Sequence, residues 1–290
     1  VAHARPDSHE RWPEVAGYSP LPYHPLTAAR QLWSHRRLVR QFVRREVQAR
    51  YRGSVLGLLW TFLHPLLLLA IYTFVFGVVF RVRWPQFATG RLSDFALVLF
   101  CGLLVVNLFG ECLTRAPGLV LSQPGFVKKV VFPLEVLPVV ALGSALFNAV
   151  VGLLVLLLSN LGLNGRLPWT VLLVPLVLLP VILLTLGLTW TLASLGVFLR
   201  DLPHIVALML QVLTFLTPIF YPVEALPEWA RPVILANPLT PAVDDLRRVA
   251  LWGRLPDWPR LAVSLAAGAA MAAAGYAWFA RTRRAFADVL

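Results

Sequence analysis

Arg45, Arg50 and Arg52 fall within eight residues, directly before an apolar run from Leu58 to Phe80. The guanidinium is a planar fork of donors that matches phosphate oxygens in bidentate fashion. At the mouth of a membrane span such a cluster has two readings. As an anchor it sits among anionic lipid headgroups, where each basic residue contributes ~1 kcal/mol. As a gate it grips a phosphate-bearing ligand. Arg50 separates the two readings, because it falls on the apolar face of the preceding segment, where an anchor needs no charge. Glu46 stands four residues before it in the favourable Glu-to-Arg order, so the two are expected to pair and hold each other there.

Most catalytic chemistry is missing. Lys128 and Lys129 are the only lysines and neither follows a glycine, so the chain has no phosphate-binding loop of the G-x-x-x-x-G-K-[ST] kind. It has no G-x-S-x-G and no H-E-x-x-H motif. His64, the one histidine inside an apolar run, precedes Pro65 and reads as a packed residue. Cys101 and Cys112 share a helix face but stand about 16 Å apart along its axis, too far to bridge. No metal site and no cofactor bound by this chain are expected. Glu111 is the one carboxylate within the apolar runs, and Asn107, Asn148 and Gln211 do not titrate. Proton-driven transport is therefore disfavoured, since it needs ionisable groups within the membrane. A membrane-embedded transferase would need a carboxylate or histidine constellation. Glu111, Glu135 and His64 show no such pattern in sequence.

Aromatic rings are the positive signal. Trp60, Tyr72, Phe76 and Phe80 lie on the first apolar run, and Phe215, Phe220 and Tyr221 near the end of the fifth. Tyrosine and tryptophan at span ends form interfacial belts. The same rings could instead line a path and stack against sugars.

These residues need membrane spans to position them. The chain is 58% hydrophobic and 14% charged, with a mean hydropathy of +0.73, whereas soluble domains carry about 25% charged residues. A helix crosses the hydrocarbon core in roughly 20 residues. Leu58–Phe80 has only Thr61, His64, Tyr72 and Thr73 to interrupt it, too few for the polar face of a soluble helix. An all-α polytopic fold follows. Six spans are expected at about 58–80, 95–114, 136–158, 169–198, 205–222 and 259–280, within a membrane domain of residues 31–290. Residues 1–30 form a polar, proline-rich lead-in without the apolar stretch of a signal peptide.

Charge sets the orientation. With both termini in the cytoplasm, 17 of the 26 Lys and Arg residues fall on the cytoplasmic side, as the positive-inside rule requires. This placement accounts for the net charge of +12 without nucleic acid. Residues 32–52 read as an amphipathic helix in the membrane interface. Leu32, Val39, Phe42, Val43 and Val47 share one face, and Arg37, Arg40, Gln41, Arg44, Arg45 and Gln48 cover the other. The segment 115–138 carries four prolines and reads as a broken cytoplasmic connector. In the last outer loop, Thr240-Pro241 is expected to cap and start a helix that stops near Gly253, as part of a hairpin dipping into the membrane.

The sequence "RYRGSVLGLLWTFLHPLL" at 50–67 resembles the approach to the first span of ABC-2-type permeases. The resemblance is nearest to the branch exporting O-antigen, capsule or teichoic-acid polysaccharides. It extends to "VFLRD" at 197–201, "LTPIFYP" at 216–222 and "NPLTPAVDDLRRVALWG" at 237–253, and covers the chain from about residue 30 onward. It implies a homodimer of six-span subunits in the bacterial cytoplasmic membrane, with two cytoplasmic ATPase subunits that bind ATP and Mg. Spans one and five would line the conduit for lipid-linked polysaccharide. Arg45, Glu46, Arg50 and Arg52 would face headgroups. A coupling helix in the connector, with Gly118, Leu119, Ser122, Phe126, Lys128 and Lys129, would dock on the ATPase. Export of a drug or a lipid is the alternative on the same fold.

Purified alone, the chain is expected to hydrolyse no ATP. Phosphate release that survives stringent repurification would overturn this expectation.

Overall fold

A computed structural model describes residues 32–51, 56–80, 91–123, 125 and 132–289. The described residues are helical wherever they are regular, with no strand among them. The lead-in of residues 1–30 lies outside them. Helix α1 is Arg36–Tyr51 and α2 is Trp60–Tyr72, which continues as a π-helical stretch, Thr73–Val79. Then follow α3 (Leu92–Arg115), α4 (Val136–Asn164), α5 (Val174–Phe198) and α6 (Leu202–Leu216). Two short helices, α7 (Arg231–Ala236) and α8 (Thr240–Ala250), precede α9 (Trp258–Thr282) and the terminal turn α10 (Phe286–Val289).

Five of these stretches are long and apolar enough to cross a membrane: Trp60–Val79, Leu92–Gly118, Val136–Asn164, Trp169–Phe198 and Trp258–Ala285. Leu202–Leu216 is shorter. At 1.5 Å per residue its 15 residues rise about 22 Å, less than the hydrocarbon thickness. The expected fifth span, 205–222, is therefore a helix only to Leu216. Thr217 takes extended backbone (φ −87°, ψ 132°) because Pro218 disfavours the helical conformation in the residue before it.

α3 is the central element. Its residues from Val98 to Leu108 pack in a core shared with α4, α5, α6 and α8. α2 is the opposite case. Apart from Thr61, no described side chain of it is buried within this chain. α1 lies against α4 where Val43 meets Gly143, at which an added Cβ would come within 2.6 Å of the valine. Its arginines Arg37, Arg40, Arg44 and Arg45 are exposed, as the amphipathic pattern requires.

The most extensive helix pair is α5 with α9. Glycine brings the two backbones together. A Cβ at Gly275 would stand 2.1 Å from the Gly187 carbonyl oxygen, and one at Gly187 would stand 2.3 Å from that of Met271. Such small-residue contacts drive association where lipid removes the hydrophobic advantage of helix pairing. The hydroxyls of Thr185, Thr189 and Thr191 donate to carbonyls four residues back and so need no solvent.

The segment between α6 and α9 differs from the expectation in detail. Thr240 is the first helical residue, not its cap. Its hydroxyl donates to Ile234 O at 2.7 Å, and the Asn237 side chain accepts from Leu239 N at 2.9 Å. Gly253 does lie just beyond the helix, at φ 65°. Arg247 of this segment is fully buried. Its guanidinium donates to Val98 O and Ile219 O, both at 3.2 Å, and joins α8 to α3 and to the turn after α6. Gly102 makes room for it, since a Cβ there would lie 3.2 Å from Arg247 Nη2.

Gly275→Ala should lower the melting midpoint in detergent, with a loss of about 2 kcal/mol from overpacking. Gly162→Ala is the control, because nothing lies within 4 Å of the added carbon. It should leave the midpoint unchanged or raise it, as a helical glycine costs about 1 kcal/mol relative to alanine. Equal melting for both variants would show that the close backbone contact does not limit stability.

A polar cavity latched by reciprocal ion pairs

A cavity of about 730 Å³ lies between α2, α3, α4 and α6, with Arg50 of α1 in its wall. Its polar lining comes from different helices: Thr61 on α2, Asn107, Glu111 and Thr114 on α3, Asn148 on α4, and Gln211 and Thr214 on α6. Trp60 and Pro65 also line it. Polar groups facing a cavity from apolar spans are the usual mark of a pathway or a binding site.

At the α1 end of this cavity two helices exchange ion pairs. Arg50 Nη2 lies 2.5 Å from Glu111 Oε1, and Glu46 pairs with Arg115. Residue 46 opposes 115 and residue 50 opposes 111, so the two segments run in opposite directions. Each supplies a glutamate followed four residues later by an arginine, and each glutamate meets the other helix's arginine. Glu111 is held further: Asn148 Nδ2 donates to Oε2 at 2.8 Å, and Arg115 Nη1 lies 4.0 Å from Oε1. Arg50 also donates to Ser144 Oγ at 3.3 Å. The four charged side chains are 21–33% exposed. The pairs therefore stand between exposed ones, worth up to about 1 kcal/mol, and buried ones, where removing one partner costs about 3–5 kcal/mol.

The expected neighbours Glu46 and Arg50 thus find partners across helices. This explains why both fall on the apolar face of α1, which looks toward protein. Arg45 is exposed beside them, and Arg52 lies outside the described residues. Sequence reasoning singled out Glu111 and Asn148 as polar and Arg50 as exceptional, but did not join them, and it missed Arg115 and Ser144 altogether. The repeated Glu-x-x-x-Arg spacing, at 46/50 and at 111/115, was the available signal.

The aromatic residues fall into two places. Trp60 stands at the cavity, 45% exposed. Toward the opposite end, Phe76 stacks on Phe220 with centroids 4.5 Å apart and planes at 19°, while Tyr72 meets Phe220 edge-on at 5.3 Å. Phe80 contacts Phe76, Phe215 contacts Phe220, and the Tyr221 hydroxyl donates to Phe215 O. Phe220 is buried at the centre of this group, whereas Phe80 and Phe215 are exposed.

The connector begins with a 3₁₀ turn, Ala116–Gly118. Pro117 presses its backbone on α5, where a Cβ at Gly196 would stand 2.1 Å from the Pro117 carbonyl oxygen. Leu119 and the fully buried Val120 join a cluster with Trp190, Tyr276, Phe279 and Phe286. Beside it Glu135 Oε2 accepts from Arg283 Nη1 at 3.1 Å. Ser122 Oγ donates to Leu119 O. Phe126, Lys128 and Lys129 lie outside the described residues.

The family model described as ABC-2 type transporter matches residues 37–251, from α1 to the end of α8. A Myxococcus xanthus protein named O-antigen export system permease protein RfbA is 34% identical over 265 residues, 91% of this chain and 99% of that protein. A Klebsiella pneumoniae protein of the same name is 27% identical over 248 residues, 85% of this chain and 92% of that protein. The polysialic acid transport protein KpsM of Escherichia coli is 24% identical over 223 residues, 73% of this chain and 81% of that protein.

The latch makes a charge-exchange prediction. Glu46→Arg alone or Arg115→Glu alone places like charges together and should cost about 2 kcal/mol of stability. Combining them should recover at least half of that loss, the coupling expected of residues in contact. Thermal melting of the four proteins closes the cycle, and additive losses would show that the pair does not interact.

Proposed function

We propose that this chain, which belongs to the ABC-2 type transporter family, is the membrane-spanning permease subunit of an ATP-driven exporter of polysaccharide. The observation that carries the reading is the 34% identity spanning 99% of an O-antigen export permease. The relative named for polysialic acid transport points to the same cargo class, a polysaccharide instead of a drug or a lipid.

The chain brings no phosphate-binding loop, so ATP and Mg belong to a partner ATPase, present in two copies. The partner docks on the connector, at Gly118, Leu119 and Ser122 with Phe126, Lys128 and Lys129. A push there has a stiff route inward. Pro117 sits on the α5 backbone at Gly196, and Leu119 and Val120 pack in the cluster that includes the α9 residues Tyr276 and Phe279. The side bearing the connector and both termini is the cytoplasmic side of the bacterial inner membrane.

A second copy of the chain completes the conduit. Two neighbouring spans support this. α2 and its π-helical continuation expose Leu67, Ile71 and Phe74, and α6 exposes Leu208, Met209, Val212 and Phe215. The glycan passes between the copies along Trp60, Tyr72, Phe76, Phe80, Phe215 and Tyr221, whose rings stack against sugar faces, while the buried Phe220 supports them from behind. Its lipid carrier approaches past α1, where Arg45, Arg50 and Arg52 meet the headgroup.

The test is complementation. Expressed with its ATPase in bacteria lacking their own O-antigen export permease, the chain should restore surface polysaccharide. A Walker-motif variant of the ATPase should abolish it. ATP-dependent movement of a drug or phospholipid with no polysaccharide at the surface would overturn the cargo. Tyr72→Ala and Phe76→Ala should slow export more than they reduce folded yield, and parallel losses would make these rings packing residues only.

A further inference from the structure

Arg50 is the one cation among the described residues that line the cavity. It reaches there from α1 and ends between α3 and α4, with Glu111 on one side and Ser144 on the other. Its side chain is 33% exposed, so a ligand can reach the guanidinium without dismantling the core. Glu111 Oε1 now holds Nη2 of the guanidinium, but the carboxylate has other donors in reach. Asn148 already holds Oε2, and Arg115 stands 4.0 Å from Oε1. A phosphate offers the same paired oxygens as a carboxylate and carries more charge. An incoming phosphate therefore competes for Arg50 on favourable terms, while Glu111 retains Asn148 and turns to Arg115.

We infer that Arg50 is the receptor for a lipid-borne phosphate, a mono- or diphosphate ester whose apolar chain stays in the bilayer and whose oxygens take the place of Glu111. The exporter reading supplies the expectation that a lipid carrier is the source. The exchange has a structural consequence. Arg115 then serves two glutamates, Glu46 and Glu111, and the tie between α1 and α3 loosens at the moment the headgroup arrives. The site thus couples occupancy of the cavity to the position of α1.

Two substitutions separate this role from a merely structural one. Arg50→Gln and Glu111→Gln break the same ion pair. If the pair only holds helices together, both variants weaken ligand binding or neither does. If Arg50 receives phosphate, the two move in opposite directions. The measurement is equilibrium dialysis of labelled farnesyl diphosphate against the full chain with its ATPase, in nanodiscs of neutral phosphatidylcholine. Arg50→Gln should weaken binding at least about tenfold, a change of ~1.4 kcal/mol. Glu111→Gln should tighten it, because the competing charge is gone. Arg50→Lys keeps the charge without the fork and should fall between wild type and Arg50→Gln, which keeps the test usable if the glutamine variant fails to fold. Farnesol should not compete.

Competition by phosphatidylglycerol equal to that of farnesyl diphosphate would support the phosphate site and assign its source to membrane lipid. Selectivity for the diphosphate would support it and assign the source to a carrier. Same-direction shifts in both glutamine variants would overturn the site. Restored surface polysaccharide alongside such shifts would sink this site alone. Opposite shifts without polysaccharide export would sink the exporter reading and leave the site standing.

Discussion

An arginine at the end of an amphipathic helix must find an anion before the chain enters hydrocarbon, and Glu111 is the carboxylate that α3 presents at this end. The contact between Arg50 and Glu111 fixes much else. It brings the end of α1 against α3, the most buried of the spans. It leaves Glu46 opposite Arg115, so each charge on the apolar face of α1 has a partner. It also places a cation in the wall of the cavity beside the start of span one. Fixed charge so close to hydrocarbon persists only when paired, because an isolated ion there costs several kcal/mol. The latch is thus both the condition for α1 to lie where it does and the source of the cavity's chemistry.

Around it stands a frame built on close backbone contact. Gly187 and Gly275 bring α5 and α9 together, and Gly196 seats the connector on α5. Arg247 joins α8 to α3 by donating to Val98 O within that helix and to Ile219 O in the turn after α6. The frame is stiff where glycine meets backbone. By contrast α2 and its π-helical end bury only Thr61 among their described residues, although Leu69, Tyr72 and Phe76 pack against the core.

How much of this was legible in sequence follows from the range of each interaction. The long apolar helices follow runs that are visible in the sequence, because a span must satisfy the bilayer by its own length and composition. The early end of α6 was less visible. Thr217 to Pro222 remain apolar, and only the restriction imposed by Pro218 marks the change. Thr240 looked like a cap because its residue type fits one, yet its hydroxyl serves Ile234, and Asn237 closes the turn. No local signal announces that the Arg247 guanidinium will be buried against a helix about 150 residues away in the chain. Glu46 and Arg50 showed as exceptions on an apolar face, which was correct, and their nearest charges were each other. Their partners lie more than 60 residues on, where only the matching Glu-x-x-x-Arg spacing hints at them.

The central claim is that the Arg50 fork changes partners when a headgroup arrives. An experimental map of the complete transporter, with and without farnesyl diphosphate, tests it most directly. The account predicts Arg50 on Glu111 in the empty protein, and Arg50 on phosphate with Glu111 turned to Arg115 in the occupied one. An occupied structure in which Arg50 and Glu111 remain paired, with the phosphate held elsewhere, would contradict it.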